Sequence, residues 1–186
     1  MACPLAELNT CDAERFVAVC GPLYEHAPWV AERALARRPF ASRAALHAAL
    51  LAAVADATAD EQLALIRAHP DLVGRAAREG RLTAASQGEQ AAAGLGGLSA
   101  DEIAVFERSN AAYRERFGFP FVICARENRK DAILAAFPVR LAHTSDEERA
   151  AALHEIGRIG WLRLLDAVSE SGIDTAGAHV ADHGSI

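Results

Sequence analysis

The chain has 186 residues, a formal net charge of −6, 52 % apolar residues and only 6 % aromatics. The acidic balance argues against an electrostatic nucleic-acid binder or a polybasic membrane-surface protein. No apolar run approaches the roughly 20 residues that span a bilayer, and the apolar content is too high for disorder.

About a quarter of the residues are alanine, so the core must close with small side chains, Leu, Val and seven Phe. One all-α domain over about residues 1–170 is expected. Asp12–Cys20 and Pro28–Ala36 read as helices in the N-terminal third. Ser42 is placed to cap Arg43–Val54. Thr58 and Glu61 form a Ser/Thr-x-x-Glu capping box that opens a helix ending before His69-Pro70. The stretch 81–98 is rich in Gly, Ala, Ser and Gln, and reads either as a flexible linker or as a cluster of polar groups around Ser86/Glu89, a second capping-box pair. Ser99/Glu102 opens a helix to Phe117, with Ile103, Phe106, Asn110, Tyr113 and Phe117 on one face and Gly118 as its stop. Phe119–Cys124 alone reads as extended, and one such segment cannot make a sheet. A helix follows over 128–141. Ser145/Glu148 opens the last, to about Ser169. Residues 171–186 lack helical periodicity and are expected to be a mobile tail.

Three places carry candidate chemistry. His69 precedes a proline, so it sits at a helix exit, where the carbonyl ends favour a protonated imidazole. It is either a capping or core histidine or a proton donor near neutral pH. Ser86 and Glu89 share a helix face at i, i+3; they are either a cap or a site pair, and Gly88 leaves room beside them. The backbone of Phe119–Cys124 needs partners, either from protein or from a polar planar ligand. Weaker candidates are Cys124 as a nucleophile, His179/His183 as a metal pair at i, i+4, Glu25-His26 as packing or interface, and Arg163 as a solvated-face arginine unless it turns inward to an anion. The four cysteines form no CxxC pair, so a reducing compartment is the simpler reading. No basic and apolar leader is read at the start, and a cytoplasmic location is expected.

Taken in order, these residues resemble the 2-oxo-4-hydroxy-4-carboxy-5-ureidoimidazoline (OHCU) decarboxylases of urate degradation. The resemblance rests on Tyr24-Glu25-His26-Ala27-Pro28-Trp29-Val30-Ala31, His69-Pro70-Asp71-Leu72, the run from Leu82 to Gln90, the run from Arg116 to Arg126, and Ile156, Ile159 and Arg163-Leu164. It implies an all-α homodimer that needs no metal or organic cofactor. By resemblance, His69 is the catalytic proton donor and Glu89 its acidic partner. Ser86 and Arg163 contact substrate, with Arg163 receiving an anionic oxygen. Pro70, Gln87, Gly88, Gln90, Phe121, Val122, Ile123, Cys124 and Ala125 line the pocket. The implied reaction is decarboxylation of OHCU to (S)-allantoin. Two rivals are a non-catalytic binding module on the same scaffold and an enzyme for a different ureido acid.

Overall fold

The computed structural model describes residues 2–74, 79–80 and 82–170. The tail and the His179/His183 pair lie outside the described residues. Among the described residues are nine α-helices and one two-stranded parallel pairing. The helices are α1 (Leu5–Thr10), α2 (Ala13–Cys20), α3 (Trp29–Leu35), α4 (Arg43–Ala55), α5 (Ala59–Arg67), α6 (Ala84–Ala92), α7 (Ala100–Phe117), α8 (Lys130–Leu141) and α9 (Ser145–Ala167). The all-α reading therefore holds. None of the described helices is long and apolar enough to cross a membrane.

Local chemistry sets most boundaries. Asp12 and Ser42 accept from the backbone N–H three residues on, and Thr58 and Ser99 complete capping boxes with Glu61 and Glu102. Each cap satisfies donors that the helix itself leaves open. Gly118 ends α7 in the left-handed region, at φ 74°, where a side chain would be strained.

Two expected caps are corrected. The cap of α9 is Thr144, boxed with Glu147, one residue before the expected Ser145/Glu148 pair. The cap of α6 is Thr83, whose hydroxyl accepts from Ser86 N. In both cases two hydroxyl residues within one turn competed, and the one whose selection leaves the other site's side chain free for a buried partner became the cap. Glu148 and Ser86 are thereby freed for buried partners. The described part of this stretch, 82–98, is thus mostly helix and turn rather than linker.

The two ends of the described residues are tied by β1 (Cys3–Pro4) and β2 (Val168–Ser169), which pair in parallel. No pattern in the sequence announced this pairing, and it stops α9 short of the expected Ser169.

Residues 119–124 are neither helix nor strand, and all six are buried. An aromatic cluster holds them. Phe121 stacks on Phe137 of α8 with ring centroids 4.0 Å apart, and Tyr113 of α7 meets Phe119 and Phe121 edge-on. Such pairs add about 0.5–1.5 kcal/mol each beyond burial. Behind them Glu148, wholly buried, accepts from Arg140, from the Tyr113 hydroxyl and from His143. Arg140 also donates to the Val122 carbonyl at 3.3 Å. A buried carboxylate is tolerable only when paired in this way, and the pairing fixes the segment's position.

Candidate active site

Helix α5 delivers His69 just past its last turn. The His69 N–H bonds to Ile66 O, and Nδ1 lies 3.0 Å from Leu65 O. A carbonyl only accepts, so Nδ1 carries the proton and Nε2 is the basic nitrogen. Nε2 is buried and has no partner among the described residues. Burial pushes the imidazole down to about 4, against the pull of the Leu65 carbonyl and the Glu25 charge. The helix-exit argument for a protonated ring is therefore overturned: desolvation outweighs the terminal dipole. His69 is a neutral base at neutral pH.

Beyond Pro70 the chain makes a strained turn. Val73 sits at φ 56°, an unfavourable place for a β-branched residue. Side chains from two helices pin it: Gln90 Oε1 accepts from Val73 N at 3.1 Å, and Asn110 Nδ2 donates to Leu72 O at 2.8 Å. Because Val73 N can only donate, the Gln90 oxygen is assigned to it, and the Gln90 NH₂ is the half left for a ligand.

Helix α9 contributes Arg163, which is buried and turned inward. Its Nε donates to Glu89 Oε1 at 2.7 Å and Nη2 to Glu89 Oε2 at 2.8 Å. Nη1 donates to Glu25 Oε2 at 2.9 Å, and Nη2 also reaches Ser86 Oγ. Every guanidinium nitrogen is engaged. Glu25 is itself buried and accepts further from Thr83 Oγ1 and Ser86 Oγ. Burial pushes the Glu25 carboxyl up, but the Arg163 charge and the Thr83 hydroxyl outweigh it and hold it below the ordinary carboxylate value.

These groups meet at a cavity of about 30 Å³, room for roughly one water. His69, Ser86, Glu89, Gln90 and Arg163 form its polar side, with Pro70 beside them. Phe121, Val122, Ile123 and Ala125 line it from the extended segment, with Leu72 and Ile159 completing the wall. Glu89 and Arg163 also face an outer groove of about 330 Å³ that includes Gly88 and Arg126.

Three expected lining residues lie elsewhere. Gln87 and Gly88 are on the exposed side of α6, because only Ser86, Glu89 and Gln90 fall on its inward face. Cys124 is buried but turned into protein. Its N–H donates to Glu155 Oε2 at 2.7 Å, and its carbonyl accepts from Asn128 Nδ2 and Glu127 N. Burial, with the Glu127 and Glu155 charges, pushes its thiol up to about 11, which disfavours a nucleophilic thiolate. The protein thus satisfies part of the extended backbone that was expected to read a ligand. Glu25, read from sequence only as packing or interface, proves to be part of the ion cluster.

A family model described as OHCU decarboxylase matches residues 9–165. The chain belongs to the OHCU decarboxylase family. A family member from Haloferax volcanii is 46 % identical over 165 residues, covering 89 % of this chain and 96 % of its own. One from Amia calva is 42 % identical over 164 residues, covering 88 % and 94 %. Among solved structures, an (S)-allantoin synthase crystal structure superposes with TM-score 0.70 at 29 % identity. It covers 90 % of this chain, which spans 54 % of that longer one. A crystal structure of OHCU decarboxylase in the presence of (S)-allantoin superposes with TM-score 0.63 over 84 % of this chain and 97 % of its own. At 20 % identity, that likeness speaks for the fold.

Proposed function

We propose that this protein decarboxylates 2-oxo-4-hydroxy-4-carboxy-5-ureidoimidazoline to (S)-allantoin, using its own side chains and the substrate's imine. The observation that carries this is the bare, buried Nε2 of a neutral His69 at a cavity shared with Glu89, Ser86, Gln90 and Arg163, in a chain of this family.

The substrate has a carboxylate and a hydroxyl on one ring carbon, next to a C=N carbon bearing the ureido group. Breaking the C–CO₂ bond sends its electron pair toward the C=N nitrogen, so the ring itself is the electron sink. Nε2 of His69 takes the hydroxyl proton, and the same imidazole returns a proton to the neighbouring ureido-bearing carbon from one face. The hydroxyl carbon becomes a carbonyl, the ring nitrogen takes one proton from solvent, and His69 ends neutral. One base serving two adjacent atoms needs no second acid, and delivery from a fixed face gives one enantiomer. The proton-donor role assigned by resemblance is thus the second half of a shuttle that begins with acceptance. Glu89 accepts from ureido N–H groups, and the Gln90 NH₂ donates to a substrate oxygen. The cavity must widen to admit a ring, and the Glu89–Arg163 wall shared with the outer groove is where it can.

The test is to supply freshly generated OHCU and follow allantoin by circular dichroism. Formation of (S)-allantoin well ahead of the spontaneous racemic reaction is expected. A rate equal to the spontaneous one would overturn the reading. We assign the activity to the helical unit over about residues 1–170. We also propose a homodimer, supported by the family resemblance, and a cytoplasmic setting, supported by the four free cysteines. Sedimentation and fractionation test these.

A further inference from the structure

Arg163 is the cation expected to meet the substrate's anionic group, yet it already holds two carboxylates. Glu89 takes one edge of the guanidinium in two hydrogen bonds, and Glu25 takes Nη1. Glu25 does not line the cavity. It stands behind Arg163, anchored by Thr83 and Ser86, and its direct hydrogen bond toward the substrate's expected cation is to Arg163 Nη1. With His69 neutral, two carboxylates on one guanidinium leave the cluster with an excess of one negative charge.

That arrangement is poor for binding a carboxylate and good for losing one. In decarboxylation the carboxylate's charge drains into the ring as CO₂ departs neutral. A cation clamped on the carboxylate would stabilise the reactant more than the transition state and so raise the barrier. We propose that Glu25 is a positioning residue that keeps Arg163 closed to the substrate's carboxylate, leaving that group uncompensated until it departs. This rests on the decarboxylase reading above, and it accounts for a buried carboxylate that the proton shuttle does not use.

Glu25→Gln removes one of the two negative charges on Arg163 while keeping the side chain's shape. The expected result is a kcat lower by about tenfold together with a KM lower by about threefold, the signature of relieved ground-state destabilisation. A role in folding alone would raise KM or leave it unchanged. Inorganic sulfate, at ionic strength held constant with NaCl, should inhibit the variant about tenfold more strongly than the wild type, because a guanidinium relieved of one counter-charge is a better oxyanion site. Adding Arg163→Gln should abolish that extra inhibition. If Glu25→Gln does not fold, Glu25→Asp, which retracts the charge by one methylene, should show the same signs with smaller shifts. A KM that rises or stays level, with sulfate sensitivity equal to the wild type, would overturn the proposal. If the wild type itself shows no decarboxylation, the functional reading fails. Sulfate-dependent stabilisation of Glu25→Gln against heat then decides the Arg163 claim alone, and its absence refutes it.

Discussion

Two buried Arg–Glu clusters hang from the same helix α9, and their stoichiometries are opposite. At the start of α9 one carboxylate, Glu148, accepts from an arginine, a tyrosine and a histidine. Fifteen residues on, one guanidinium, Arg163, is divided between two carboxylates and a serine. The first cluster has donors to spare and lines none of the cavities described. It acts as a rivet on the extended segment through the Val122 carbonyl. The second has acceptors to spare, and it adjoins a bare imidazole nitrogen at a cavity. A surplus of acceptors in a desolvated space awaits a donor-rich guest, and a ureido compound is one.

The largest effect expected from breaking this contrast is at His69. His69→Asn should lower kcat by about 10²–10⁴-fold while the helical far-UV signal stays intact. A variant within tenfold of the wild type would show that the bare nitrogen is idle.

At the rivet the loss should appear in stability instead. Glu148→Ala strands a buried arginine and should cost about 3–5 kcal/mol in urea denaturation. The kcat/KM of the folded fraction should stay within about tenfold of the wild type, since the cluster meets the cavity wall at the Val122 carbonyl and the Phe121 ring and touches none of its polar groups. A large activity loss at full stability would erase the distinction between the clusters.

The third prediction concerns pH. His69 has a folded-state value of about 4, below its ordinary 6.5. Between those values the unfolded chain binds the extra proton. This group's contribution therefore rises with pH across the window and is lost as pH falls through it. The acid limb of kcat/KM should accordingly lie below 6.5, and a limb at 6.5 or above would show that burial does not control the base.

The smallest effect lies away from both clusters. Gly118→Ala, at φ 74°, should cost about 1–2 kcal/mol of stability with kcat unchanged.

What the sequence disclosed follows the range of the forces involved. Caps at Ser42, Thr58 and Ser99 act within three residues, so spacing alone reveals them. The stripe through Phe106, Asn110 and Tyr113 was legible for the same reason, and all three are buried. Where Thr83 or Ser86 could cap α6 and Thr144 or Ser145 could cap α9, the tertiary demand on Ser86 and Glu148 chose the cap, and no local rule could. Glu25 was illegible as a site residue. Its main partner lies 138 positions away, and an acid in a turn carries no periodicity. The protonation of His69 was misjudged because a helix-end dipole can be read from sequence and desolvation cannot.

The two clusters share one rigid ruler. Glu148 and Arg163 are separated by fifteen residues of uninterrupted helix, about 22 Å at 1.5 Å per residue. Inserting a single residue between them would swing one cluster by about 100° relative to the other. A deletion would do the same in the opposite sense. Exposed side chains along that span can be exchanged, but its length cannot, so the reading frame of this one helix sets the distance between the rivet and the chemistry.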